Sequence, residues 1–116
     1  MNVALLTAAG SGTRMGQDIP KQFMNIDDCP VIIYTMLPFQ HHPDVDAIAV
    51  ICLDGWEHML RAYANQFGIT KLKYIFPGGD SNQDSIHNGI VGLKEAGLSD
   101  DDIVIIQDGV RPLVSA

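Results

Sequence analysis

Arg14 and Lys21 are two of only seven Lys and Arg residues in a chain of 116. Both belong to one stretch, Ala8-Ala9-Gly10-Ser11-Gly12-Thr13-Arg14-Met15-Gly16 followed by Pro20-Lys21-Gln22. Small residues let a ligand approach the backbone, and successive N–H groups in a glycine-rich turn form an anion-binding concavity. Two fixed cations beside it can hold a triphosphate and meet the charge that builds during phosphoryl transfer. The stretch is not a P-loop, because no Gly-Lys-Ser/Thr follows, and it is not a dinucleotide fingerprint, because Met15 stands where the third glycine belongs. The plainer reading is a glycine-rich turn with surface cations, and the pairing of Arg14 with Lys21 argues against it.

Two further segments carry candidate chemistry. In Pro77-Gly78-Gly79-Asp80-Ser81-Asn82-Gln83-Asp84-Ser85, glycines precede helix-capping residues, so backbone groups are presented at a helix N-terminus. Such groups can read the edge of a base, and a loop carbonyl with N–H groups and the Ser85 hydroxyl could select the donor and acceptors of cytosine. The plainer reading is a strand-to-helix loop with a cap. In Gln107-Asp108-Gly109-Val110-Arg111-Pro112, a carboxylate ends an apolar run. Asp108 there can hold Mg²⁺ against phosphate oxygens, or can simply be a turn aspartate.

These segments need elements to position them, and the pattern alternates strand and helix. Val3–Ala8 reads as a short strand buried on both faces. Pro30 opens a helix to about Gln40 that Pro38 should kink or shorten. Val45–Leu53 is a second strand. Asp54 is expected to cap a helix, with Glu57 completing a capping box and Gly68 ending it after Phe67. Lys73–Phe76 is a third strand. Ser81 or Asn82 caps a helix that ends before Gly97 and buries Ile86, Ile90 and Leu93. Asp102–Gln107 is a fourth strand. Strands joined by helical crossovers predict an α/β fold, a mostly parallel Rossmann-like sheet with helices on both faces. Ligands of such sheets bind beyond the carboxyl ends of the strands, where all three segments fall.

Composition narrows the function. With 47% hydrophobic residues the chain can build one core, and a net charge of −7 makes it a poor partner for nucleic acid or an anionic membrane. Few cations, several of them gathered in the motifs, suit a small anionic ligand. Cys29 and Cys52 make neither a disulfide framework nor a zinc site and read as buried thiols of a reducing cytoplasm. The apolar run Val3–Ala9 lacks a basic flank and is too short for a membrane span. His41-His42-Pro43 reads as a helix end and Asp100-Asp101-Asp102 as a solvated turn. His87 reads as a surface residue, and Trp56 and Met59 as packed or half-exposed.

The segments AAGSGTRMG, PKQF, GGDSNQDSIHNGI and QDGVRP, in this order, resemble the cytidylyltransferases that make CDP-methylerythritol in isoprenoid synthesis or CDP-ribitol for wall polymers such as teichoic acid. The resemblance runs the length of the chain. It implies a nucleotidyltransferase-type fold and transfer of CMP from CTP to a phosphorylated sugar alcohol, either 2-C-methyl-D-erythritol 4-phosphate or D-ribitol 5-phosphate. It also implies Mg²⁺ as cofactor and a homodimer in the full-length form. By this likeness Arg14 and Lys21 stabilise the α-phosphate transition state. Ala8, Ala9, Gly10, Ser11, Gly12, Thr13, Gly78, Gly79, Asp80 and Ser85 contact the nucleotide, and Asp108 binds the metal. Family members often carry Arg where Asn82 stands, and they are longer. Their further part supplies contacts to the acceptor phosphate, another catalytic lysine and a dimerisation arm. Residues 1–116 are therefore expected to be the nucleotide-binding part of one cytidylyltransferase domain, inactive alone. Two other classes compete. A sugar-1-phosphate or molybdopterin nucleotidyltransferase has a similar loop and would prefer a purine nucleotide. A nucleotide-binding fragment without turnover would release no pyrophosphate.

Overall fold

Four apolar runs, separated by helices, assemble into one parallel sheet. The computed structural model describes residues 1–8, 21–79, 81–99 and 101–108. The strands are β1 (Asn2–Ala8), β4 (Ala47–Cys52), β5 (Leu72–Pro77) and β6 (Ile103–Asp108), ordered β5-β4-β1-β6. Between β1 and β4 lie a 3-10 turn (Lys21–Phe23), a small antiparallel hairpin of β2 (Asn25–Ile26) and β3 (Cys29–Pro30), and helix α1 (Val31–His41). Helix α2 (Glu57–Gln66) joins β4 to β5, and α3 (Asn82–Glu95) joins β5 to β6. The α/β parallel architecture expected from the alternation is the one observed.

Both faces of the central strands are covered, so β4 is buried at every position. One face packs Ala4, Leu6, Ile48 and Val50 against Ile32, Ile33 and Met36 of α1 and Leu60 and Ala64 of α2. The other packs Val3, Leu5, Ala49 and Ile51 against α3 through Leu93. Glycines let α3 come close. A Cβ on Gly89 would lie 2.9 Å from Ile51 Cδ1, and one on Gly92 would lie 2.6 Å from Phe76 Cε1. Of the expected Ile86, Ile90 and Leu93 stripe, Ile90 and Leu93 pack against the sheet, Leu93 fully buried, while Ile86 is half-buried.

Three local expectations need correction. Asp54 does not cap α2. The helix begins at Glu57, its N-cap Trp56 makes no side-chain cap bond, and Gly55 turns the chain at a φ of +90°. Glu57 does reach back, but its carboxylate accepts from the Gly55 N–H at 2.9 Å, one residue short of a capping box on Asp54. Pro38 sits inside α1 near its end and the helix continues to His41. The hairpin was not anticipated. Its turn residues Asp27 and Asp28 both have positive φ, 52° and 66°, as a two-residue hairpin turn of the primed type requires. The later caps follow expectation: Gly68 and Gly97, at φ +76° and +110°, follow α2 and α3.

The opposite end of the sheet is tied off locally. The Met1 ammonium donates to the Asp102 carboxylate at 2.6 Å, and Asp102 also accepts from the Ser99 N–H at 3.0 Å. These bonds hold the Asp102 carboxyl below its usual range and the terminal amine above its own. His42 follows the last residue of α1, and its carbonyl accepts from Lys71 Nζ at 2.8 Å, a cation at a helix C-terminus.

Candidate nucleotide site at the carboxyl rim

Strand register brings the carboxyl ends together. Ala8 is level with Cys52 on one side, and Cys52 is level with Pro77 beyond it. On the other side Thr7 pairs with Asp108. The glycine-rich stretch leaves β1 from this rim, Gly78 and Gly79 follow Pro77, and Asp108 closes β6. The segments singled out in sequence, dozens of residues apart, thus start from one edge of one sheet.

The second segment is ordered by its own hydrogen bonds. Ser81 is the N-cap of α3, and its hydroxyl accepts from the Asp84 N–H at 3.1 Å. Ser85, in the first turn, is buried, and its hydroxyl accepts from the Gly79 N–H at 2.9 Å. This bond folds Gly79 back over the start of α3. The fit leaves no room for a side chain, since a Cβ on Gly79 would lie 2.5 Å from Asp84 Cβ and 3.0 Å from the Asp84 main-chain carbon. Gly78 and Gly79 remain exposed at the helix N-terminus, where N–H groups attract acceptors and anions.

The first segment is described at its two ends. Ala8 is buried at the end of β1. Lys21 begins the 3-10 turn, and the next two residues both point inward, Gln22 at 1% exposure and Phe23 at 3%. The Gln22 amide donates to the Ala8 carbonyl at 2.5 Å. Phe23 stacks on Trp56 with ring centroids 4.8 Å apart and leans on Tyr63 at 6.4 Å. The turn that carries Lys21 is therefore fixed at the end of β1. Ala9, Gly10, Ser11, Gly12, Thr13, Arg14 and Asp80 lie outside the described residues. Gln22 belongs to the PKQF segment but carried no role in the sequence reading. No signal in the sequence marks it, since its carbonyl partner lies 14 residues away.

Cys29 and Cys52 are both free and buried. Burial pushes the Cys52 thiol up to about 12, so it stays protonated at the rim. Among the described residues, no cluster of three or more His, Cys, Asp or Glu is disposed to hold a metal ion. Mg²⁺ needs no such cluster. That ion takes one or two carboxylates and fills its octahedron with phosphate oxygens and water. Among the described residues, no helix is long and apolar enough to cross a membrane.

The comparisons with known proteins agree with this geometry. Residues 2–116 match the family described as IspD: 2-C-methyl-D-erythritol 4-phosphate cytidylyltransferase. The chain belongs to that family. Relatives include a ribitol-5-phosphate cytidylyltransferase of Lacticaseibacillus paracasei, 44% identical over 98% of this chain and 48% of the relative. A protein of the same description from Vibrio parahaemolyticus is 44% identical over 99% of this chain and 48% of its own length. A 2-C-methyl-D-erythritol 4-phosphate cytidylyltransferase of Clostridium botulinum is 34% identical over the same shares. The chain thus spans about half the length of the curated relatives it matches. Among solved structures, the Francisella tularensis 2-C-methyl-D-erythritol 4-phosphate cytidylyltransferase superposes with a TM-score of 0.73 at 27% identity, covering 98% of this chain and 46% of that one. The Rossmann-like nucleotidyltransferase fold is shared.

Proposed function

We propose that this chain is the nucleotide-binding half of an enzyme that transfers CMP from CTP to a phosphorylated sugar alcohol and releases pyrophosphate. The observation that carries the reading is the common rim, where Ala8, Cys52 and Pro77 end in register and Asp108 pairs beside them with Thr7. Membership of the cytidylyltransferase family supports the same reading. D-ribitol 5-phosphate is the favoured acceptor, because relatives described as acting on it reach 44% identity against 34% for a relative described as acting on the methylerythritol phosphate.

The chemistry follows from the reactants. A phosphate oxygen of the acceptor, ionised at neutral pH, attacks the α-phosphorus of CTP; a new P–O bond forms and the bond to the β-phosphate oxygen breaks. No general base is required, so the protein's task is positioning and charge stabilisation. Gly78, Gly79, Asp80 and Ser85 hold the cytidine. Ala8, Ala9, Gly10, Ser11, Gly12 and Thr13 cradle the phosphates. Arg14 and Lys21 meet the charge that builds at the α-phosphate. Asp108 would hold Mg²⁺, which when bound supplies charge neutralisation at the phosphate oxygens. The whole enzyme works as a cytoplasmic homodimer. The buried free thiols support a reducing compartment, and the net charge of −7 argues against nucleic-acid or membrane partners.

The test is pyrophosphate release by the full-length protein from Mg²⁺ and CTP, with D-ribitol 5-phosphate or 2-C-methyl-D-erythritol 4-phosphate as acceptor. Faster release with the ribitol ester is expected. Release with neither ester contradicts the reading.

A further inference from the structure

Strand β1 turns Val3 and Leu5 toward the face that α3 covers, and Thr7 is the next residue in that alternation. Val3 and Leu5 are buried, as are Leu6 and Ala8 on the other face, yet Thr7 between them is part-exposed. The course of α3 explains the difference. It joins two parallel strands and so runs back against them. Its Gly89 lies over Leu5 and Ile51, where a Cβ would come within 3.0 Å and 2.9 Å of their Cδ1 atoms. One helical turn nearer the rim is Ser85, and one pleat beyond Leu5 is Thr7. The helical cover therefore ends at the Ser85 turn, and Thr7 forms part of the floor of the opening below it. The Thr7 hydroxyl makes no hydrogen bond among the described residues.

After Asn2 at its start, Thr7 is the only polar residue of β1. Valine would suit a parallel strand as well as threonine does, so the hydroxyl adds nothing to the sheet. It can both donate and accept, which suits a hydroxyl on a ligand. Its neighbours indicate which one. On one side lies the turn where Gly79 is bonded to Ser85, the cytidine end of the proposed site. On the other side Asp108, the metal carboxylate of the same proposal, is level with Thr7 one strand away. Between the base and the phosphates of a nucleoside triphosphate lies the ribose. Building on the function proposed above, we propose that Thr7 is a specificity-determining residue, whose hydroxyl bonds a ribose hydroxyl of the nucleotide and makes the site prefer CTP to a deoxy analogue.

Calorimetric titration of the full-length protein with Mg²⁺ and CTP, 2′-deoxy-CTP or 3′-deoxy-CTP tests this role. Parent, Thr7→Val and Thr7→Ser are compared: valine keeps the shape without the hydroxyl, and serine keeps the hydroxyl. The parent should bind one of the two deoxy nucleotides about fivefold more weakly than CTP, the loss of one neutral hydrogen bond. Thr7→Val should bind CTP as weakly as the parent binds that analogue and should no longer distinguish the two. Thr7→Ser should keep the parent's discrimination. A threonine that only supported the strand would weaken CTP and its analogues together, so an unchanged ratio in Thr7→Val overturns the proposal. Loss of discrimination in Thr7→Ser as well traces the effect to packing and also overturns it. If Thr7→Val does not fold, Thr7→Ala removes the same hydroxyl and decides in the same way. A parent that binds CTP and both analogues equally overturns the ribose contact and leaves the proposed function standing. A parent that binds no CTP overturns the proposed function and the ribose contact with it.

Discussion

The hydroxyl of Ser85 accepts a hydrogen bond from the main-chain N–H of Gly79 at 2.9 Å, joining the loop after β5 to the first turn of α3. Ser85 is buried and Gly78 and Gly79 are exposed, so the bond holds an accessible backbone on a rigid support. Ser85→Ala leaves the Gly79 N–H without this partner and should cost about 1 kcal/mol. Thermal unfolding checks the stability, and calorimetry with CTP should show affinity falling about tenfold, the factor that 1.4 kcal/mol corresponds to.

Gly79 and Gly68 should respond differently to alanine. At Gly79 the new Cβ meets the Asp84 main-chain carbon at 3.0 Å, so the loop must move off the helix. Gly68 has nothing within 4 Å but a φ of +76°, so its penalty is conformational alone. Gly68→Ala should cost about 1–2 kcal/mol with nucleotide binding unchanged. Gly79→Ala should weaken nucleotide binding even where its stability is close to the parent's. Denaturant titration paired with CTP binding separates the two.

Cys29 and Cys52 should resist alkylation while the chain is folded. Cys52 is 1% exposed and its thiol is pushed up to about 12, so at pH 8 it offers almost no thiolate. Iodoacetamide followed by mass spectrometry should find both cysteines unmodified in buffer and both modified in denaturant.

The Met1–Asp102 pair predicts a pH window. The Asp102 carboxyl is held low, so its contribution is present above the unfolded carboxylate value, about 4, and is lost as pH falls through the depressed value. The Met1 amine is held high, so its contribution is complete below the unfolded amine value, about 8, and is lost as pH rises through the raised value. Acetylating the terminus should lower the Tm slightly at pH 6, and the difference should close at both pH extremes. Both groups are solvent-facing, so added salt should shrink the effect.

On β6, Ile103 is 56% exposed, Ile105 40% and Ile106 47%, on an edge strand paired only with β1 among the described residues. Such an edge invites association. Ile105→Lys should raise the concentration at which the chain sediments as a monomer, with a stability change within about 0.5 kcal/mol.

The sheet was legible because its strands are apolar runs of suitable length, and α2 and α3 because a glycine follows each of them. Ser81 and Gly97 bracket α3 where they were expected to. The hairpin was not legible, because two-residue strands carry no periodicity and Asp27-Asp28 lacks the glycine that usually announces such a turn. The spacing of Asp54 and Glu57 mimicked a capping box, but Gly55 took the turn and moved the helix start onward. Gln22 was hidden for a different reason: its partner is a carbonyl 14 residues away, and only the folded sheet brings them together. The rim was foreseen from the rule that such sheets bind ligands at their carboxyl ends, whereas the placing of β6 beside β1 required the structure.

The most direct test of a cytidine-specific rim is a calorimetric titration of the 116-residue chain with CTP and Mg²⁺, with ATP, GTP and UTP run in parallel. Binding of CTP strengthened by Mg²⁺, and at least tenfold tighter than any other nucleotide, is the expected result. A preference for a purine nucleotide, or no binding by a chain shown to be folded, would contradict it.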